Sequence, residues 1–181
     1  MLRSFTVICL TAVVPACTMV PVTTQSALDR VDPLTADPAG FVLALDVPPG
    51  IGLREGAALI YLSAVRTDTG AQLAGAYELD AIEDEETGQL TFRVAPEDVD
   101  RLRSDQAKVA DWERSAPDAT SGSLSVSATG CLTGEPVPSD ARVSAGLRIR
   151  DGGPFLTLLR NAPMADLLGG DIANATEATC P

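Results

Sequence analysis

Between Phe41 and Arg160 the chain repeatedly alternates apolar and polar residues with a period of two, and this pattern constrains the fold more than any other feature. Phe41, Leu43, Leu45 and Val47 alternate with Val42, Ala44 and Asp46 until Pro48-Pro49-Gly50 ends the run. Residues 57–66 are apolar on both faces, with Leu59, Tyr61 and Val65 on one and Ile60 and Leu62 on the other, which predicts a central strand. Thr67-Asp68-Thr69-Gly70 turns the chain into a third strand over 71–82, where Gly75 marks a bulge or a close backbone approach. After a turn over 83–89, Leu90, Phe92 and Val94 alternate with Thr91 and Arg93 and complete a hairpin. Leu124, Val126 and Ala128 then alternate with serines over 123–132. The same pattern returns over 141–149, and Asp151-Gly152-Gly153 turns the chain into a last strand over 154–160.

One segment departs from this period. Pro96, Glu97 and Asp98 place a proline and two acids where a helix begins. Val99, Leu102, Val109 and Trp112 follow on one stripe, interrupted by Gln106, which predicts a helix from Pro96 to about Arg114. Asp105 with Lys108, and Asp111 with Arg114, are spaced as i,i+3 ion pairs. The expected fold is mainly β: an antiparallel β-sandwich or a curled sheet of about seven strands, with one covering α-helix. In the tail, residues 164–168 form a further helical turn before Gly169-Gly170.

Composition narrows the chemistry. The chain has 181 residues and no histidine, which excludes Ser-His-Asp and Cys-His nucleophilic catalysis and the usual zinc sites. A formal net charge of −12 opposes binding to nucleic acid and to anionic lipid surfaces. Aromatic residues make up only 4%, so the core must come from Leu, Val, Ile and Ala.

The N-terminus carries an address. Arg3 precedes an apolar run over 5–14, about ten residues, against the ~20 a spanning helix requires. Val14-Pro15-Ala16-Cys17 resembles the lipobox of bacterial lipoproteins, with Pro15 where that pattern prefers Leu, Ala, Ser or Thr. The resemblance covers the leader alone. It implies a signal peptide over 1–16, a diacylglycerol anchor on Cys17 and a cell-envelope location. Thr18, which follows the cysteine, implies the outer membrane, facing the periplasm. Val-Pro-Ala also suits an ordinary signal peptidase, which would leave a soluble periplasmic protein. Three cysteines remain after the leader. With Cys17 acylated, Cys131 and Cys180 form an even pair in an oxidising compartment and are expected to be bridged. Residues 17–40, with Pro21, Pro33 and Pro38 and no period, read as a lipid-anchored tether reaching at most ~75 Å. A single globular domain is expected over 41–181.

Few residues suggest a site. Glu83, Asp84, Glu85 and Glu86 read as a solvated turn rather than a calcium loop, so no metal and no cofactor is expected. Ser104 and Lys108 lie at i and i+4, a spacing unlike that of serine–lysine catalysts. Arg142, Arg148 and Arg150 share a strand face and are expected to pair with carboxylates, or else to form a docking patch. Asn174-Ala175-Thr176 is a chance sequon. The expectation is a non-catalytic envelope lipoprotein, held at the membrane by its lipid anchor, whose domain binds a protein partner or supports an envelope assembly. The alternative is a hydrolase or carbohydrate-active domain using carboxylates alone, with Glu78 and Asp80 on one strand face, or Asp46.

Overall fold

The computed structural model describes residues 32–83, 90–167 and 179–180. The leader, Cys17, most of the tether, Asp84 to Glu86 of the acidic turn and the sequon at Asn174 lie outside the described residues.

Among the described residues seven strands form one antiparallel sheet that curls into a half-barrel, so the curled sheet is realised and the two-layer sandwich is not. They are β1 (Val42–Asp46), β2 (Ile51–Arg66), β3 (Ala71–Glu83), β4 (Leu90–Val94), β5 (Thr120–Leu132), β6 (Arg142–Arg148) and β7 (Leu156–Pro163). Their spatial order is β5-β2-β3-β4-β1-β6-β7. The long helix α1 (Pro96–Ser115) links β4 to β5, and α2 (Met164–Leu167) is the helical turn expected after β7. Because β5 pairs with β2 rather than β4, α1 must cross the inner face, where it meets β3, β2 and β5.

Alternation decides which side faces inward. Phe41, Leu43 and Leu45, Ile60 and Leu62, Tyr77 and Leu79, and Phe92 and Val94 are buried against Leu102 and Val109 of α1. Strand β2 does lie inside the sheet, between β5 and β3. Its second apolar face is nevertheless open, with Tyr61 39% and Val65 38% exposed. Period two alone could not tell a covered face from a bare one. β2 also begins earlier than its pattern suggested, at Ile51 directly after the Pro-Pro-Gly turn, and its pairing with β5 shifts register between Leu53 and Ala58.

Gln106, which breaks the apolar stripe of α1, has a use that sequence could not show. It is 2% exposed, and its Nε2 donates to the carbonyls of Pro33 at 2.6 Å and Ala36 at 3.2 Å. Arg103 adds an ion pair to Asp37 at 2.8 Å. Residues 32–40, expected to be part of the tether, are therefore docked on α1, and a short 3-10 turn over Pro38–Gly40 leads into β1. Gln106→Leu would continue the apolar stripe but strip two carbonyls of their donor. A loss of about 1–3 kcal/mol is expected, with faster protease cleavage before Phe41. Unchanged melting and cleavage would mean the segment is held by other contacts.

Of the two expected helical ion pairs, Asp111–Arg114 forms. Asp105 instead accepts a hydrogen bond from the Tyr77 hydroxyl at 2.6 Å, and Lys108 lies over the Trp112 ring, 5.4 Å from its centre. Asp98–Arg101 and Asp100–Arg103 supply two further i,i+3 pairs.

Candidate functional site

The three strand-face arginines have three different fates, and none forms an ion pair among the described residues. That corrects the expectation that they pair with carboxylates. Arg142 donates to the carbonyl of Asn161 at 2.7 Å. Asn161 has a φ of 48° where the register of β6 and β7 slips, so Arg142 serves the backbone of a bulge. Arg148 lies over the Phe155 ring, 5.1 Å from its centre, and its buried Nε has no hydrogen-bond partner. Arg150 stands exposed just past β6.

Register brings a fourth arginine to this place. Val42 of β1 is opposite Arg93 of β4 on one side and Arg148 of β6 on the other. Across two strand spacings the arginine backbones lie about 10 Å apart. Val42 is only 5% exposed on this outer face. Arg93, Arg148, Arg150, Val42, Asp37 and Asp151 line a half-open cleft of about 320 Å³. Asp37 is already matched: its bond to Arg103, with a further one from the Ala39 backbone, holds its carboxyl below the usual carboxylate range. Sequence reasoning named Arg148 and Arg150 but missed Arg93, because strand order, not spacing, puts β4 and β6 on either side of β1.

The proposed carboxylate chemistry does not converge. Glu78 and Asp80 both stand exposed on the outer face of β3. Asp46 lines a different groove, with Ser144, Phe155 and Arg160, and no second carboxylate lines it. Ser104 and Lys108 are both exposed on α1. Among the described residues no three acidic or cysteine side chains gather as a metal site, and no helix is long and apolar enough to cross a membrane.

Buried polar groups cluster instead between β3 and α1. Tyr77 is fully buried, and Arg101 lies 4.3 Å above its ring centre. Burial, followed by the bond to Asp105, pushes its hydroxyl above the usual tyrosine range. At the start of the helix, partial burial would raise the Asp98 carboxyl. The bonds it accepts from the Glu78 backbone and from Arg101 outweigh that and bring it below its ordinary value. This network ties helix to sheet and contains no unengaged nucleophile.

Cys131 and Cys180 are joined, with Cα atoms 5.1 Å apart. Gly52 lies opposite Cys131, and a Cβ there would come within 2.7 Å of the Cys180 sulfur, so the bridge needs a glycine beneath it. The bridge holds Thr179 beside Leu132, at the outer edge of β5. From Thr120 to Thr129 that edge has no partner strand among the described residues.

No protein-family model matches the chain, and neither a curated protein nor a solved structure matches it.

Proposed function

We propose that this is a non-catalytic lipoprotein of the bacterial envelope, anchored through Cys17, whose β domain holds an extended segment of a protein partner along β5. The observation that carries the binding reading is the edge itself. β5 has 13 residues without one charge or proline, and these are the devices that normally stop an edge from accepting another strand. The opposite edge, β7, is guarded by Arg160, Pro163 and the slipped register around Asn161. Serines 121, 123, 125 and 127 line the outer face of β5, and the exposed Tyr61 and Val65 stand beside them on β2. An added strand would gain main-chain hydrogen bonds along the edge and apolar contact from this neighbouring pair.

The compartment rests on the Cys131–Cys180 bridge, which suits an oxidising environment and leaves Cys17 as the remaining cysteine after the leader. Counting from Cys17 to the docked Asp32, the anchor has a reach of at most ~50 Å rather than the full tether length.

One preparation of native membranes tests both halves. Mass spectrometry of the N-terminal peptide should find Cys17 acylated, and Cys17→Ser should release the protein from the membrane. A photo-crosslinker replacing Ser125 should capture a partner through a discrete peptide, while one replacing Arg160 on β7 should not. An unmodified Cys17 would leave plain secretion, and equal labelling from both positions would remove β5 as the binding edge.

A further inference from the structure

We propose that the cleft between Arg93, Arg148 and Arg150 binds a phosphate group, on strands distant in the sheet from the β5 edge. Charge is the first argument. Three arginines line the cleft against two carboxylates, Asp151 and the Asp37 already bonded to Arg103, so the lining carries a net charge of +1 and attracts an anion such as phosphate, which carries about −1.5 to −2 near neutral pH. A chain of net charge −12 offers no general attraction for anions, so such binding has to come from local hydrogen bonds.

Geometry is the second argument. Guanidiniums present planar forks of donors suited to tetrahedral and planar oxyanions, and here they approach from two strands and a turn. Arg93 and Arg148 are fixed on either side of the buried Val42 by register, and Phe155 supports the Arg148 guanidinium from beneath. Arg150 is held at the rim by a tight turn, in which the Gly153 backbone donates to the Arg150 carbonyl at 3.0 Å. The backbone of residue 40 presses so close to this turn that a Cβ at Gly40 would lie 2.9 Å from the Asp151 nitrogen.

The phosphate could be a free solute or a lipid headgroup, and calorimetry on the detergent-solubilised full chain separates the two. Inorganic phosphate is titrated at ionic strength held constant with chloride, alongside acetate and a soluble short-chain phosphatidic acid. One saturable site for phosphate is expected, with acetate at least tenfold weaker. Arg93→Gln and Arg150→Gln should each weaken phosphate about tenfold or more. Both side chains are exposed, so the fold should survive, and circular dichroism verifies it. Arg93→Lys keeps the charge but loses the fork, and should fall between wild type and Arg93→Gln. Tighter binding of phosphatidic acid than of inorganic phosphate would identify a headgroup, and equal binding a free solute. Acetate binding as tightly as phosphate, phosphate binding unchanged in both glutamine variants, or no saturable binding at millimolar phosphate would each overturn the proposal.

Discussion

Gly75→Ala should cost this protein about 3–5 kcal/mol, a large share of the 5–15 kcal/mol that holds a typical domain together. The reason is local and steric. Residue 75 and Tyr77 lie two apart on β3 and share its inner face. The tyrosine ring leans back over the glycine, so a Cβ at residue 75 would lie 2.1 Å from the Tyr77 hydroxyl and 2.6 Å from the ring carbon that bears it. Such distances cannot be absorbed by a flexible side-chain end. Tyr77 is fully buried, covered by Arg101 and bonded to Asp105. To make room, the ring must move against α1, which overpacks the core at about 1–3 kcal/mol and breaks a hydrogen bond to a carboxylate worth about 1.5–3 kcal/mol. Urea denaturation gives the measurement, through a lower midpoint at unchanged slope. Adding Tyr77→Phe removes the atom nearest the new methyl, so the double variant should lose less than the sum of the two singles. Strict additivity would show that the two side chains do not meet.

Gly75 also shows how far the sequence could be read. An interior glycine in a strand announces a bulge or a close approach. The structure realises the second, but the atom that approaches is a side chain two residues away, which no local rule names. The strands themselves were legible because alternation is imposed by burial on one face, and β3, β4 and β6 begin and end close to where their patterns do. The helix was legible from Pro96, its two acids and its stripe. What stayed hidden depends on strand order. The meeting of Arg93 with Arg148 requires β1 to lie between β4 and β6, although β4 and β6 are separated in sequence by α1 and β5. The docking of residues 32–40 requires Gln106 to find two carbonyls about 70 residues earlier. Neither pairing leaves a periodic trace. The carboxylates Glu78 and Asp80 illustrate the converse: two acids on one strand face satisfied a catalytic spacing and an ordinary wet face equally, and they stand exposed.

Opening the Cys131–Cys180 bridge should lower the melting temperature without preventing folding. The two residues are 49 apart in sequence, and closing a loop of that length restricts the unfolded chain by roughly 4 kcal/mol in the chain-entropy view. On the native side little else depends on it. The sheet and α1 enclose a core of Leu, Val, Ile, Phe and Tyr that the bridge does not enter, and its contacts run to Gly52 and to the end of β5. Cys131→Ala with Cys180→Ala should therefore keep native circular dichroism and melt at a lower temperature. In the described tail the bond from the Cys180 nitrogen to the Leu132 carbonyl, 2.9 Å, should become labile to hydrogen exchange, because one main-chain bond cannot hold a terminus whose covalent link is gone. The single variants separate this from cavity formation: Cys131 is fully buried, so Cys131→Ala adds a small packing loss to the opened bridge, whereas Cys180→Ala opens the bridge with that packing intact. If Cys180→Ala melts as the wild type does, the tail contributes nothing to stability. If it fails to fold at all, the β core is not sufficient without its staple.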